Sequence, residues 1–326
     1  MTYGSHSITR ILIVTPSLPS SDLAIAANVR NVSGISEDQG GPSNAHIVAG
    51  VKGFAGQFNY WYIRVIGKAI PKYRNTIIGR INPFVRRVEF GGMDVTACSD
   101  RLVEDYARRN FVTAGGWALE AMAIDGSPTA QKSATPGVDA QRVDPLTGDY
   151  HLYALKSGTV TRNSDIIASI KQNGRKAEKL IRQNRSSGAV HLNYSVLTGK
   201  GESTFEDGVH RPSSAETWSQ MFDLPQDQAL ELALAIAAEA GKLVRHDASV
   251  HINALRLLVA TYLQTEEGSD QMDWEFIARR TMQPKSAWKD EDSERHKRAM
   301  AALNASGYEP YSEGDEDVAD PESEAD

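Results

Sequence analysis

GVDAQRVDPLTGDYHLYALKSG, residues 137–158, is the stretch on which the reading of this chain turns. Its centre, DPLTGD (144–149), holds a proline and a glycine, both of which favour chain reversal. The flanks therefore read as two strands folded back on each other. The midpoint between Asp139 and Lys156 falls inside that turn, so the two residues lie almost opposite one another on neighbouring strands. Side chains alternate along a strand. Tyr150, Leu152, Ala154 and Lys156 share one face, His151, Tyr153 and Leu155 the other, and Asp139 joins the Lys156 face. An acid and a base are thus delivered to one spot by rigid elements.

That pairing suits phosphodiester hydrolysis. The reaction must neutralise charge on the scissile phosphate and generate a hydroxide. A hard divalent cation does both, and it prefers carboxylate oxygens plus waters. Asp139 is the expected main ligand, and the backbone carbonyl of Leu155 is a second candidate oxygen. Lys156 is placed to orient the attacking water and stabilise the transition state. Glu120, in the helical stretch WALEAMAI (117–124), is a candidate further ligand or a holder of one of the ion's waters. The cofactor expected is Mg²⁺, with Mn²⁺ as a substitute.

Outward from the hairpin the chain divides. Residues 1–75 read as an N-terminal extension or small subdomain, with RILIVTP (10–16) as a buried strand and NYWYIRVIGKAI (59–70) as an aromatic, β-branched core strand. INPFVRRVEF (81–90) leads into a helix that begins near Ser99, and a second helical stretch follows TAGG. After the hairpin, Asn163 or Ser164 can cap the helix NSDIIASIKQNGRKAEKLIRQN. Its Lys171, Arg175, Lys179 and Arg182 follow 4, 4 and 3 spacing and so form one basic stripe, a candidate contact for a DNA backbone. Ser157, Thr159 and Asn163 are candidate neutral phosphate donors. AVHLNYSVL (189–197) is a further strand, and from Ala215 the pattern is helical. The expected layout is a core over 76–212, a helical part over 213–305 and a tail over 306–326.

The order of these pieces resembles the PD-(D/E)xK nuclease superfamily: Glu in a helix, Asp in a strand, Lys at the end of the next, then a basic helix. The local wording is similar to the PmeII-type restriction endonucleases at INPF (81–84), GGWALEAMA (115–123), GVDAQ (137–141), YALKSG (153–158), NSDII (163–167), SVLTGKGES and WSQMFDLPQD (218–227). The resemblance implies an α/β fold, a restriction-endonuclease-like central mixed sheet flanked by helices. It also implies double-stranded DNA as partner, a homodimer or a subunit of a larger complex, and a role in restriction or anti-phage defence.

One position departs from the pattern. Ala154 stands where the superfamily places Glu, Asp or Gln, and a methyl cannot bind metal. Three explanations stay open: a branch that does without this ligand, a carboxylate moved to Glu178 or Asp165, or a crippled site that leaves a DNA-binding remnant. The glycine-scattered N-terminus also has a faint likeness to nucleotide-sugar transferases, but it lacks the strand–glycine loop–helix unit such binding needs.

With the acidic tail set aside, the body is roughly neutral and can still carry a basic face. Of the chain's 42 acids, nine fall in residues 305–326, which hold no Lys or Arg. The other 304 residues carry 33 acids against 35 bases, so the net charge of −7 belongs to the tail. The tail reads as a solvated, disordered end. The single cysteine, Cys98, excludes an internal disulfide and a cysteine-based zinc site. No apolar run reaches the ~20 residues that span a bilayer, and a reducing, cytoplasmic setting is expected. The eight histidines lack metal-ligand spacing and read as structural, with no evident partner for His191 or His210.

Overall fold

The computed structural model describes residues 20–36, 41–158, 164–183, 188–244 and 248–309. The strand expected at 10–16, the cap residue Asn163 and the acidic residues 310–326 lie outside them. The chain is a mixed α/β protein in which two long helices, α2 (Asn44–Ala69) and α5 (Val95–Asp125), run between two hydrophobic cores.

The first core joins α1 (Ser20–Ser33), the front of α2, the back of α5, α7 (Ser214–Phe222) and α8 (Gln226–Leu243) to one face of a sheet. The second joins the back of α2 and the front of α5 to α3 (Tyr73–Thr76), α4 (Pro83–Phe90), α9 (Ala248–Leu263), α10 (Trp274–Met282) and α11 (Lys289–Ala305). The helical pattern read from Ala215 onward is present as α7 to α11.

Residues 59–70 are not a strand: they form the last turns of α2 and its C-cap. The reason lies in their spacing. Val51, Ala55, Phe58, Ile63, Ile66 and Ile70 are buried at three- to five-residue intervals, and that helical period overrides the β preference of the individual residues. The helix expected at Ser99 starts earlier, at Val95, where the Asp94 carboxylate accepts the Ala97 N–H at 2.7 Å. Ser99 is internal and donates its hydroxyl to the Arg256 carbonyl at 2.8 Å. The two helical stretches expected around TAGG are one helix, continuous through Gly115 and Gly116.

The sheet has six strands in the order β1-β2-β3-β4-β6-β5. They are β1 (Ala130–Lys132), β2 (Ala140–Val143), β3 (Tyr150–Lys156), β4 (Val190–Val196), β5 (Thr204–Glu206) and β6 (Val209–Arg211). β1, β2 and β3 are antiparallel neighbours, β4 runs parallel to both β3 and β6, and β5 closes the far edge antiparallel to β6. The helix α6 (Ser164–Gln183) makes the crossover from β3 to β4 and covers one face through Ala177 and Ile181 on Val138 and Leu152. Gly174 lets it approach closely, because a Cβ there would meet Leu192 Cδ2 at 2.4 Å. The opposite face, with Tyr153 and Leu155, packs on α5 and α7.

The hairpin of 137–158 is present, with Ala140 paired to Tyr153 and Val143 to Tyr150. Its turn is built on Asp144, whose carboxylate accepts the Leu146 and Thr147 N–H groups, and on Gly148 at φ 75°. The register differs from the expected one by two residues. Asp139 donates its amide to the Tyr153 carbonyl at 2.8 Å, which sets it beside Ala154 with Lys156 diagonal to it. A two-residue shift preserves the face, so Asp139 and Lys156 stay on one side.

Candidate active site

The candidate site forms where β2 parts from β3. Gly137, at φ +78°, turns the chain away, and its missing Cβ leaves room for the Asn173 amide of α6. With no backbone partner from β2 at that level, the Leu155 N–H is taken up by Asp139 Oδ2 at 2.6 Å. Lys156 Nζ stands 3.9 Å from the same oxygen. Asp139 is 23% exposed and Lys156 46%, so the pair is reachable from solvent rather than sealed within the core. In a strand a residue's amide and carbonyl face the same edge. The Leu155 carbonyl therefore points to the edge where Asp139 sits.

Glu120 reaches this edge from α5. One turn before it, Gly116 faces Ser157: a Cβ at Gly116 would lie 2.9 Å from Ser157 Oγ. That close approach brings the end of β3 against the helix. Burial, reinforced by the nearby Asp139 charge and opposed by Lys156 and Lys132, pushes the Glu120 carboxyl up to about 7. Burial also raises Asp139, against Lys156, the Leu155 N–H and Lys132, which lower it. Two carboxyls whose ionisation is resisted by their surroundings share one place, with two ammonium groups near them.

Lys132 was not singled out in the sequence. It is the last residue of a three-residue strand, paired with Ala140, and such a strand has too little periodicity to mark it. Its position beside β2 lets its charge act on both carboxyls.

The other expected residues distribute as follows. Ser157 packs toward α5, and its carbonyl accepts the Thr198 hydroxyl. On α6, Arg175, Lys179 and Arg182 are exposed on one stripe, while Lys171 stands 3.9 Å from Asp207. Because α6 runs back between two parallel strands, the stripe begins near the Lys156 end of the sheet and leads away from it. Arg182 pairs with Glu178 through two nitrogens, at 2.8 and 2.9 Å. Glu178 is thereby engaged on α6. The side chains of Asn163 and Asp165 lie outside the described residues.

Ala154 has a physical reason to be small. It is buried among Tyr194 and Val209, with Ile170 and Leu192 against them. A carboxylate there would be desolvated under α6. The two histidines with no evident partner in the sequence have partners in the fold: His191 Nε2 lies 3.3 Å from Asp149, and His210 bridges Asn193 at 3.2 Å and Glu216 at 3.6 Å.

Among the described residues no group of three or more His, Cys, Asp or Glu side chains gathers to hold a metal ion. The donor set at the site is Asp139, Glu120 and the Leu155 carbonyl. Magnesium is commonly held by one or two carboxylates, with waters and substrate phosphate filling its shell. The donors are hard oxygens of the right kind and number for that mode, and a cation there offsets the cost of ionising two partly buried carboxyls. Among the described residues no helix is long and apolar enough to cross a membrane.

No family model matches the chain, and no curated protein matches it.

Proposed function

We propose that the chain is a Mg²⁺-dependent endonuclease that hydrolyses phosphodiester bonds in DNA. The observation that carries the reading is the convergence of Asp139 and Lys156, 3.9 Å apart, with Glu120 of α5 near enough for its carboxyl to feel both charges. The element order also supports it: a helix bearing Glu120, three antiparallel strands with Asp139 just before the second and Lys156 ending the third, a basic helix and a parallel fourth strand. This is the order that the resemblance to the PD-(D/E)xK superfamily implies, with a restriction-endonuclease-like sheet at its centre.

In this reading Asp139, Glu120 and the Leu155 carbonyl hold the ion, which supplies Lewis acidity at the phosphate and a nucleophile at neutral pH. Lys156 orients the attacking water and offsets charge that develops on the phosphate. Lys132 adds a second positive charge to the same site. The start of the α6 stripe, at Lys171 and Arg175, receives the flanking backbone. The work in restriction or anti-phage defence, the cytoplasmic setting and the dimer or larger complex come from the resemblance alone.

A second reading, a nuclease fold kept as a DNA-binding or scaffold subunit, is favoured by one observation. Position 154 is closed over by Tyr194 and Val209 and offers no ligand.

Plasmid cleavage with Mg²⁺ or Mn²⁺ decides between the two. Wild type nicks or linearises the plasmid, and Asp139→Ala and Lys156→Ala each lower the rate by about 100-fold or more. DNA binding without cutting by the wild type selects the second reading. Cutting untouched by both substitutions removes the site assignment.

A further inference from the structure

Going round α5 from Glu120, the end of β3 lies to one side and an aromatic pair to the other. At about 100° per residue, Gly116 lies about 40° from Glu120 on the side of β3, and Trp117 lies about 60° away on the side of α2. Trp117 stacks on Trp61 of α2, with ring centroids 5.5 Å apart and planes at 18°. Trp61 is braced in turn by Tyr60, edge-on at 5.4 Å. Core packing accounts for Trp61, which is partly buried. It does not account for Trp117, which is 41% exposed. A ring held against a braced partner and still 41% exposed is a pre-ordered surface for stacking.

The position matters as much as the exposure. Trp117 and Glu120 are separated by about 4.5 Å along the helix axis, within the reach of one nucleotide. Further back on the Glu120 face, Thr113 and Arg109 are exposed, and Arg109 stands about 16 Å from Glu120 along α5. A strand laid along this face of α5 therefore meets a cation first, then an aromatic ring, then the carboxylates.

We propose that Trp117, backed by Trp61, is a platform for an unpaired nucleobase beside the scissile linkage, so that the substrate is single-stranded DNA or DNA locally unpaired at the cut. The proposal rests on the nuclease reading of the site. Stacking on an aromatic face is sequence-tolerant, because every base has a π face. A fully paired duplex keeps its base faces inside its own stack and cannot offer one sideways to a helix.

Binding in EDTA separates this from cleavage. A fluorescein-labelled oligothymidylate and a blunt duplex are titrated with wild type, Trp117→Leu and Trp117→Phe. Leucine keeps apolar packing but loses the π face, and phenylalanine keeps it. Trp117→Leu lowers oligothymidylate affinity by about 10-fold or more and duplex affinity by less than about twofold, while Trp117→Phe stays close to wild type. In the wild type itself, oligothymidylate shields tryptophan fluorescence from acrylamide and the duplex does not, a readout that needs no variant to fold. Equal affinity of wild type and Trp117→Leu, equal losses on both ligands, no shielding, or no binding of oligothymidylate each overturns the proposal. Trp117-dependent binding without metal-dependent cutting leaves the platform standing and removes the nuclease reading. Cutting with no Trp117 dependence does the reverse.

Discussion

Glu120 shows how a single residue can report on its surroundings. Its carboxyl titrates near 7 because burial and the Asp139 charge oppose ionisation. The folded value lies above the ordinary one of 4.5, so the folded state binds the proton more tightly than the unfolded chain. The Glu120 contribution to stability is greatest below the unfolded value, falls as pH rises from about 4.5 to about 7, and is then level. Glu120→Gln removes this penalty. In EDTA at pH 8 the variant is more stable than wild type by about 1–3 kcal/mol, and the two converge toward pH 4.5. Thermal melts across that range measure it, and parallel curves for the two proteins would sink the assignment. Little of this was legible in the sequence. Glu120, Asp139 and Lys156 could be named from their order, but the two-residue register shift and the arrival of Lys132 depend on where β2 leaves the ladder at Gly137. Ala154 was visible as a departure. Its cause, the closure of that position by Tyr194 and Val209, was not.

At the scale of elements, the two glycines of TAGG separate by their neighbours. A Cβ on Gly115 meets nothing within 4 Å, whereas one on Gly116 meets Ser157. Gly115→Ala therefore stabilises the protein by about 0.5–1 kcal/mol through helix propensity. Gly116→Ala gains the same propensity but pushes the end of β3 off α5, and it falls below wild type by about 1 kcal/mol. Adding Ser157→Gly to Gly116→Ala restores the loss. Urea unfolding of the four proteins checks this, and equal gains from both alanines would show that β3 does not lean on the helix. The elements themselves were unevenly legible. The hairpin, the basic helix and the strand after it follow from turn residues and alternation. Residues 59–70 were misread because Tyr, Trp, Ile and Val favour strands one at a time, while their buried positions recur at helical spacing.

The whole molecule is held at its far end by a buried acid. Asp292 accepts from Arg74 at 2.5 Å, from Arg280 at 3.0 Å and from the Tyr262 hydroxyl, tying α3, α9, α10 and α11 together. Asp292→Ala leaves the buried Arg280 guanidinium and the partly exposed Arg74 without their counter-charge and costs about 3 kcal/mol. Because α2 and α5 belong to both cores, the variant still unfolds in one step, with far-UV and tryptophan signals falling together at lower urea. Separate transitions would mean that the bundle and the sheet part melt independently.

An unbroken helix from Val95 to Asp125 behaves as a stiff rod about 46 Å long. The bundle grips one end and Glu120 rides near the other. Where that acid stands is thus governed partly by leverage from afar: a change at Val103, about 25 Å along the rod, reaches the site as a tilt, with every neighbour of Glu120 still in place.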